Sequence, residues 1–292
     1  MTKKTNARFA ALAAGMLATP MLSFAGDGVK ESKQVTVVEK AKESWISGDI
    51  GVDIYSQYIF HGITLENQGA IIQPYADWYF KLYEGEGFLN KATLNLSVWN
   101  SFHSHHTVSS TTEKWYEFDF YGGLSFTFAK HFTISPTYLA YTSPGDYFAT
   151  AHTIGVRMAI DDKDWLGPLS LQPYVYVEWE LDGKGGNGVD EGVYYEAGIS
   201  PGCTFGNFAF AVPVKAGFGS NDYYAGDAGF GFVSAGVSAT YTMSFIPEKW
   251  GTWSIGGAAT YYHFGDANAD ANSVKGGNDN DVVFNGGIKV AF

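Results

Sequence analysis

The amino-acid sequence predicts an all-β fold, a transmembrane antiparallel up-and-down β-barrel of about 12 strands with short periplasmic turns and longer extracellular loops. Three observations support this prediction. Segments in which apolar and polar residues alternate recur along the chain, and the charged residues within them take the positions opposite to the aliphatic ones. The last segment keeps this alternation up to a terminal Phe. Each segment can cross a bilayer, for which a tilted strand needs about 9–11 residues. The segments cover residues 46–60, 69–82, 91–102, 114–128, 131–141, 150–160, 168–181, 192–200, 206–218, 230–245, 252–264 and 281–292.

The composition favours a barrel and excludes several classes of protein. The chain of 292 residues holds 36 Gly and 17% aromatic residues. Its mean hydropathy is −0.09, as expected for strands that are half polar. A formal net charge of −12 repels nucleic acid, so no nucleic-acid partner is expected. The single cysteine, Cys203, excludes an intrachain disulfide framework, and no residue pattern calls for a cofactor.

Residues 1–25 have the pattern of a cleaved secretory signal peptide. Lys3, Lys4 and Arg8 precede an apolar run, and Ser23-Phe24-Ala25 supplies a small-x-small cleavage site. A proline breaks the apolar run, which is shorter than the roughly 20 residues of a spanning helix. Loss of the three positive charges takes the formal charge from −12 to −15. The sequence thus predicts export to the outer membrane of a Gram-negative bacterium.

Residues 26–45 are charged and lack the alternation of a strand. We therefore assign them to a periplasmic N-terminal segment that precedes a barrel spanning residues 46–292. Three alternatives stay open for this segment: a short helix in the periplasm, a plug that folds into the lumen, and a disordered tail.

The connections between segments alternate in length, as they do in outer-membrane barrels. If the N-terminus is periplasmic, the odd-numbered connections lie outside, and these include residues 101–113, 182–191, 219–229 and 265–280. The even-numbered connections are mostly tighter, as at Ala129-Lys130 and around Ser200-Pro201-Gly202. An even number of strands returns the C-terminus to the side on which the barrel begins.

Charged residues within the segments have the parity opposite to that of the aliphatic residues, which places them inside a membrane barrel. In the second segment, Trp78 and Phe80 share one face while Asp77 and Lys81 share the other. If the strand register shifted by one residue, every charged side chain would face the lipid, where an Arg or Lys at the midplane costs roughly 2–4 kcal/mol. The predicted lumen-lining residues are Asp49, Asp53, Tyr75, Asp77, Lys81, Glu117, Asp119, Arg157, Glu178, Glu180, Glu196, Lys215 and Lys289.

A soluble barrel would reverse the two faces, and parity alone does not distinguish these arrangements. The residue sizes do, because a wide soluble barrel would have to fill its interior with small residues such as Val233, Ala235 and Val237. Aromatic residues also concentrate near strand ends, as in the girdles at the two membrane interfaces. Both observations favour the membrane barrel.

The last strand resembles the assembly signal at the C-terminus of bacterial outer-membrane barrels, an aromatic final residue with apolar residues two and four places before it. Here Phe292, Val290 and Ile288 fill those positions, and Phe284 continues the same face. The resemblance implies the barrel-assembly machinery as a partner, with outer-membrane lipid and lipopolysaccharide around the folded protein.

The first predicted strand carries a second resemblance. Ser56-Gln57-Tyr58-Ile59-Phe60-His61-Gly62 looks like the S-x-Y-x-F-R-G motif near the start of a family of poorly characterised Gram-negative outer-membrane proteins. His61 stands where that family usually has Arg, and the match extends over residues 46–75. The resemblance implies a barrel and says little about cargo.

The predicted lumen residues suggest a narrow channel for small polar solutes with a mild cation preference, because eight of the charges are acidic and four are basic. An internal network of paired charges that plugs the lumen is an alternative, as is a structural or surface-binding barrel without conductance. An outer-membrane hydrolase is a third possibility, although no spacing of Ser and His singles out a catalytic triad. We therefore predict no enzymatic activity.

Two loop segments are candidates for metal binding. His103, His105 and His106 cluster in an outside loop, where imidazoles can hold Zn, Cu or Ni, but no acidic partner follows at a fixed spacing. Residues 266–272 supply alternate oxygens like the start of a calcium loop. Ala271 stands where such a loop needs Gly, so an acidic, flexible outside loop is the favoured interpretation.

Overall fold

The structure is a computed structural model, and it describes residues 44–106, 113–188, 190–225, 229–274 and 279–292. The predicted signal peptide and nearly all of the predicted segment 26–45 lie outside the described residues. In chain order the strands are β1 Ile46–Tyr55, β2 Tyr58–Phe60, β3 Ile63–Glu66, β4 Ile71–Glu84, β5 Leu89–His103, β6 Trp115–Phe128, β7 Phe132–Thr142, β8 Ala151–Ile160, β9 Tyr174–Asp182, β10 Val193–Ile199, β11 Gly202–Phe205, β12 Phe208–Ala211, β13 Val214–Gly219, β14 Gly229–Thr242, β15 Thr252–Phe264 and β16 Asn280–Ala291.

Twelve of these strands form a closed barrel in the order β1, β4, β5, β6, β7, β8, β9, β10, β13, β14, β15 and β16. Every neighbouring pair is antiparallel, and β1 pairs with both β4 and β16, so the first and last strands leave no free edge. The predicted fold class and strand number are confirmed. We call the end where β1 begins and β16 ends the terminus end, and the opposite end the loop end.

The barrel has a polar inner face and an apolar outer face. Along β5 the buried residues alternate with half-buried ones, and Thr93, Asn95 and Ser97 are among those that turn inward. On the outer face Val237 is 60% exposed and Phe284 58% exposed. A soluble barrel buries its large apolar residues and exposes its polar ones, so this polarity is inverted relative to a soluble protein.

The strand register places the predicted lumen residues on the inner face. Directly opposed residues in an antiparallel pair lie on the same face of the sheet. Tyr75 opposes Trp99, Trp99 opposes Asp119, and Asp119 opposes Tyr141. When the strand pairing is followed around the barrel, all thirteen predicted residues lie on the inner face, where the polar side chains are buried.

The first predicted strand ends earlier than its alternation suggests. Residues 46–60 were expected to form one strand, but β1 ends at Tyr55, and β2 pairs only with β3, as a separate hairpin. At Ser56 the chain leaves the wall, where the backbone N–H of Phe284 donates to the Ser56 hydroxyl at 2.9 Å. The placement of the S-x-Y-x-F-H-G motif in the first strand is therefore wrong. The motif lies at the strand's exit and in the hairpin, because its apolar residues are buried in the barrel interior.

Strand β9, which corresponds to the seventh predicted segment, begins at Tyr174 rather than at residue 168. The preceding residues form a turn with a short helix, α1 Lys163–Leu166, and a single 3-10 turn at Gly167–Leu169. The buried Asp162 carboxylate organises this turn by accepting bonds from the Ser170 hydroxyl at 2.5 Å and from the Leu171 backbone at 2.9 Å. These local side-chain bonds compete with strand formation.

Between the eighth and ninth predicted strands, the chain does not turn at Ser200-Pro201-Gly202 as expected. It continues beyond the barrel as the β11–β12 hairpin, whose turn lies at Gly206-Asn207, and β12 pairs with the far end of β14. Pro201 and Pro213 separate this extension from the barrel strands, because a proline has no N–H to donate to a ladder.

The described residues contain few helices. Besides α1, the second α-helix, α2 Asp266–Val274, lies in the loop-end connection between β15 and β16, and a 3-10 turn covers Glu248–Trp250. None of the helices in the described ranges is long and apolar enough to cross a membrane.

Aromatic side chains lie across inward-facing glycines of neighbouring strands. A Cβ on Gly155 would come within 2.6 Å of the Tyr176 ring, and a Cβ on Gly198 would come equally close to the ring of Tyr174. Such distances leave no room for a side chain, so these glycines allow the tyrosines to pack flat against the wall.

We expect Gly155→Ala to destabilise the barrel by about 1–3 kcal/mol, because the added methyl group overpacks the Tyr176 ring. The midpoint of urea unfolding of the refolded protein in detergent micelles, followed by Trp fluorescence, measures the effect. Gly286→Ala is the control, since its Cβ would meet only the Gly256 carbonyl oxygen, at 3.5 Å. Equal midpoints for the two variants would contradict this packing.

Candidate functional site

The β2–β3 hairpin crosses the interior of the barrel at the loop end. Its residues are almost completely buried, and they contact inner faces on opposite sides of the barrel. Tyr58 packs against Trp99 of β5 with ring centroids 5.7 Å apart, while His61 stacks on Tyr194 of β10 at 3.7 Å. The hairpin therefore obstructs the lumen at this level.

A two-residue turn forms the tip of the hairpin. His61 has a φ of 49° and Gly62 a φ of 82°, and Phe60 pairs with Ile63 across them. Two consecutive positive φ values are typical of the type I′ turn that closes tight hairpins. A Cβ on Gly62 would also lie 2.6 Å from the Phe232 ring of β14. The His-Gly pair of the motif thus shapes the tip and lets it approach the opposite wall.

The His61 side chain is enclosed by aromatic rings. It lies between Phe60 and Tyr194, with centroid distances of 3.9 and 3.7 Å, and its Nδ1 contacts the Tyr223 hydroxyl. The Tyr224 hydroxyl donates to the His61 carbonyl oxygen at 2.7 Å. Burial lowers the pKa of His61 to about 3, partly offset by the Glu196 carboxylate, so the imidazole is neutral at pH 7.

Helix α2 holds the hairpin from the loop end. The Thr64 backbone N–H donates to Asn272 Oδ1 at 2.8 Å, and Asn272 Nδ2 donates to the Gly62 carbonyl oxygen at 3.1 Å. Asn268, one turn earlier, donates to the Gly231 carbonyl oxygen at 3.2 Å. The expectation of a flexible acidic loop is wrong here, because the Asn side chains are buried and satisfy the hairpin backbone.

Tyrosine hydroxyls bind the buried carboxylates of the loop-end lumen. Tyr58 of the hairpin donates to Glu117 Oε2 at 2.7 Å, and Tyr121 donates to Asp119 Oδ2 at 2.7 Å. Glu178 accepts from Tyr141 at 2.9 Å and from Tyr176. None of these three carboxylates has a cationic partner among the ion pairs of the described residues.

Several buried polar atoms have no hydrogen-bond partner within the described residues. Among them are Asp119 Oδ1 and Trp99 Nε1, which belong to directly opposed residues of β6 and β5. A buried donor or acceptor without a partner costs about 1–3 kcal/mol, so water or a polar solute would be stabilised there.

Other predicted charges pair with each other further around the lumen. Lys215 Nζ lies 3.1 Å from Glu196 Oε2, and Lys289 Nζ lies 3.6 Å from Asp49 Oδ1. Arg157 stacks over the Tyr174 ring at 3.5 Å. The predicted acids and bases are thus partly neutralised by ion pairs and by tyrosines.

The remaining predicted residues have local partners. Asp77 accepts from the Ser97 hydroxyl, and Lys81 contacts Glu84 at 2.5 Å near the terminus end. Asp53 and Tyr75 lie on the inner faces of β1 and β4, each over a glycine of a neighbouring strand.

The structure places the Glu180 side chain toward a loop, where it organises backbone rather than facing an open lumen. Its oxygens accept bonds from the backbone N–H groups of Gly185 at 2.5 Å, Gly186 at 2.7 Å and Gly192 at 2.6 Å. Three bonds to one carboxylate fix the loop-end connection between β9 and β10.

The residues of the predicted assembly signal face outward on β16. Phe284, Ile288 and Phe292 are exposed, and Val290 continues the same face. Phe292 exchanges two backbone hydrogen bonds of 2.9 Å with Gly48, and its ring lies against that glycine. The chain terminus therefore closes the barrel, while its role in assembly remains a prediction.

The structure brings an acidic residue to the predicted histidine cluster. Glu66, at the end of β3, has its carboxylate among potential ligand atoms of His103 and His106 that all lie within 4.8 Å of one another. His105 is half-exposed and lies outside this group, with Nδ1 3.9 Å from Glu66 Oε1. Sequence reasoning missed Glu66 because it comes close to the histidines only through the folding of the hairpin, and its spacing along the chain gives no sign of this.

No family model matches the chain, and no curated protein sequence matches it. Solved structures to which it is similar include NanC porin, with 10% identity over 82% of this chain and 98% of that chain and a TM-score of 0.47. A porin structure shares 12% identity over 85% of this chain and 99% of that chain, with a TM-score of 0.32. A triple-mutant porin of Rhodopseudomonas blastica has 10% identity over 85% of this chain and 99% of that chain, with a TM-score of 0.26. The fold assignment rests on the closed strand pairing of this chain itself.

We expect acidification to release the hairpin, because the undocked His61 binds a proton near pH 6.5 while the docked imidazole does not until about pH 3. Docking is therefore fully stable above pH 6.5 and weakens as the pH falls toward 3, by about 1.4 kcal/mol per unit. A nitroxide on Leu65→Cys in a Cys203→Ser background would be immobile at pH 7 and mobile at pH 4.5.

The control is His61→Asn, since Asn adopts positive φ readily and does not titrate. Its label should stay equally immobile at both pH values. The same pH-dependent release in His61→Asn would assign the effect to other groups and contradict the role of His61.

Proposed function

We propose that this chain is an outer-membrane barrel that conducts small polar solutes with a mild preference for cations, and that the β2–β3 hairpin is its constriction. The observation that carries the proposal is the hairpin that spans a closed, polar-lined barrel. The proposal also assigns a pore-lining role to the predicted inner-face residues at the level of the hairpin and below it.

The outer face supports a membrane location. Large apolar residues are exposed on strand after strand, including Ile50, Ile154 and Ile255. Exposed apolar surface of this extent is unfavourable in water and favourable against acyl chains. An apolar exterior around a polar lumen is the arrangement of outer-membrane barrels.

The terminus-end half of the lumen supports a water-filled path. Its wall over β14, β15 and β16 carries small inward residues such as Ser238, Ala258 and Gly287, which are partly accessible to solvent. Asp49 and Lys289 there are also partly accessible. The obstruction is thus a layer near the loop end, and residues that are partly accessible to solvent line the lumen below it.

The carboxylates at the constriction support cation preference. Glu117, Asp119 and Glu178 are buried, and their partners are tyrosine hydroxyls rather than cations. Carboxylates of this layer that are ionised would stabilise a passing cation and repel an anion.

The burial of the hairpin also favours a second candidate, a plugged barrel without conductance. Tyr58, Ile59 and Phe60 are each at most 4% exposed, so the hairpin is closely packed where these residues lie. The two candidates differ in whether the hairpin moves, which conductance measurements decide.

A hydrolase is the candidate least supported by the geometry. Ser101 Oγ lies 2.9 Å from His103 Nε2, within the reach of a nucleophile and its base. Both side chains are buried, with 0% and 2% exposure, and face the interior, where an acyl chain in the bilayer has no access. Lipase and protease assays in which Ser101→Ala abolished turnover would revive this candidate.

We expect Val237→Arg to destabilise the barrel in lipid vesicles by roughly 2–4 kcal/mol, because the charge would face acyl chains. Ser238→Arg, one residue along and on the inner face opposite Ala258, should be tolerated. Urea unfolding midpoints in vesicles measure both variants. A larger loss for Ser238→Arg would contradict the membrane orientation.

We expect single-channel recordings in planar bilayers to show small conductance and a reversal potential favouring K⁺ over Cl⁻ in a salt gradient. Replacing residues 57–69 by a short Gly-Ser turn should raise the conductance several-fold, because it removes the constriction. Gly62→Ala, which obstructs docking at the tip, should raise it less.

The matched control is Gly206→Ala, since Gly206 also has a positive φ, of 57°, but lies in the β11–β12 turn with no atom near its Cβ position. Its conductance should equal that of the natural sequence. Anion selectivity would contradict the cation preference, and an absence of conductance even without the hairpin would contradict the channel.

A further inference from the structure

We propose that Glu66, His103 and His106 form a binding site for a divalent transition-metal ion, with Zn²⁺ as the best-suited probe, and that the ion fastens the β2–β3 hairpin to the barrel wall. Glu66 belongs to the hairpin, His103 to β5, and His106 to the connection that follows β5. A metal bound by all three would therefore add a bridge between the hairpin and the barrel wall beside β5.

The donor set fits the chemistry of zinc. Two imidazoles and one carboxylate with an open fourth position are a recurrent zinc arrangement, and the same donors suit Cu²⁺ and Ni²⁺. The potential ligand atoms already lie within 4.8 Å of one another. Tetrahedral zinc with bonds of about 2.0–2.1 Å needs its ligands about 3.3 Å apart, so small side-chain rotations suffice.

The Glu66 carboxylate is held in place by the backbone. Its Oε1 accepts from the N–H groups of Asn67 at 3.0 Å and Gln68 at 2.9 Å, and the residue is 2% exposed. A carboxylate ordered in this way loses little entropy on binding a metal.

His103 has the outer-shell support typical of a metal ligand. Its ring stacks on Tyr116 at 4.3 Å, and its Nε2 is 2.9 Å from the Ser101 hydroxyl, which in turn accepts from Gln73 at 3.4 Å. A hydrogen bond at one ring nitrogen fixes the orientation of the ring and leaves Nδ1 for the metal. His106 is held near by Tyr147, whose ring centroid is 5.1 Å away.

The consequence for the hairpin follows from mass action. A ligand that binds only the docked hairpin stabilises docking in proportion to its concentration above the Kd. If the barrel conducts as proposed above, Zn²⁺ on the loop-end side should lower its conductance. This part rests on the proposed function, whereas the binding site itself does not.

The binding test is isothermal titration of the refolded full chain, first freed of metal with a chelator, with ZnCl₂. We expect one ion per chain with a Kd in the micromolar range or tighter. Glu66→Gln keeps the acceptor for the Asn67 and Gln68 backbone and removes the charge, and it should weaken binding at least tenfold. His106→Ala, at a less buried position, should do the same.

His263→Ala is the control, because His263 lies on β15 away from the cluster and its Nδ1 contacts Asn280. It should bind Zn²⁺ within twofold of the natural sequence. Binding only at millimolar Zn²⁺, or equal binding by Glu66→Gln and the natural sequence, would overturn the site.

Recordings with added Zn²⁺ separate the two proposals. Block of the natural sequence but not of Glu66→Gln supports the metal clamp. Titration heat without any conductance leaves the site intact and removes the channel, while conductance that Zn²⁺ does not change removes the clamp.

Discussion

Closure of the sheet between β1 and β16 is the constraint on which the rest of the structure depends. Seven residue pairs join the two strands, from Asp49 opposite Ala291 to Tyr55 opposite Asn285, and Phe292 adds a mutual pair of bonds with Gly48. Closure satisfies the backbone of both outer strands and separates an inner from an outer surface. Every inward polar side chain must then find its partners within the enclosed volume.

The hairpin answers part of that requirement. Tyr58 supplies a donor to Glu117, and the backbone of the tip is bound by Tyr224 and α2. The same contacts that satisfy the lumen also fill it, so the internal network and the constriction are one structure. An open lumen at this level would leave the Glu117 carboxylate short of one of its donors.

Metal binding at Glu66 would act on the same element from its other end. The tip is held through His61 and the two asparagines of α2, while Glu66 closes the hairpin beside His103. Protons at the tip and a metal at the base would therefore shift one docking equilibrium in opposite directions. Each ligand changes the equilibrium only by its differential affinity for the docked state.

The strands were predictable from sequence because their period of two is local and repeats. The inner-face residues followed from the same parity, since a wall with one polar and one apolar face tolerates one phase only. The hairpin was not predictable in this way. Tyr58 and Phe60 continue the alternation of β1, and nothing local distinguishes a strand in the wall from one folded inside it. Asn268 and Asn272 stand four residues apart, which is helical spacing, but the polar composition of their loop obscured it.

The partners of the hairpin were also beyond linear reasoning. Glu66 meets His103 and His106 only because the chain turns inward at Ser56, and Glu180 serves a loop although its parity places it with the lumen residues. Parity fixes which face a residue occupies, whereas the partner depends on tertiary contacts. The sequence pattern thus identified the residues of the inner face, but not the hydrogen bonds and ion pairs that they form.

The central claim is that the hairpin is docked inside the barrel in the native protein. Hydrogen exchange of the protein in lipid vesicles at pH 7, read by mass spectrometry over residues 57–68, tests it most directly. Docking predicts that these amides exchange as slowly as those of the barrel strands, because they are buried and bonded. Exchange as fast as that of an exposed loop would contradict it.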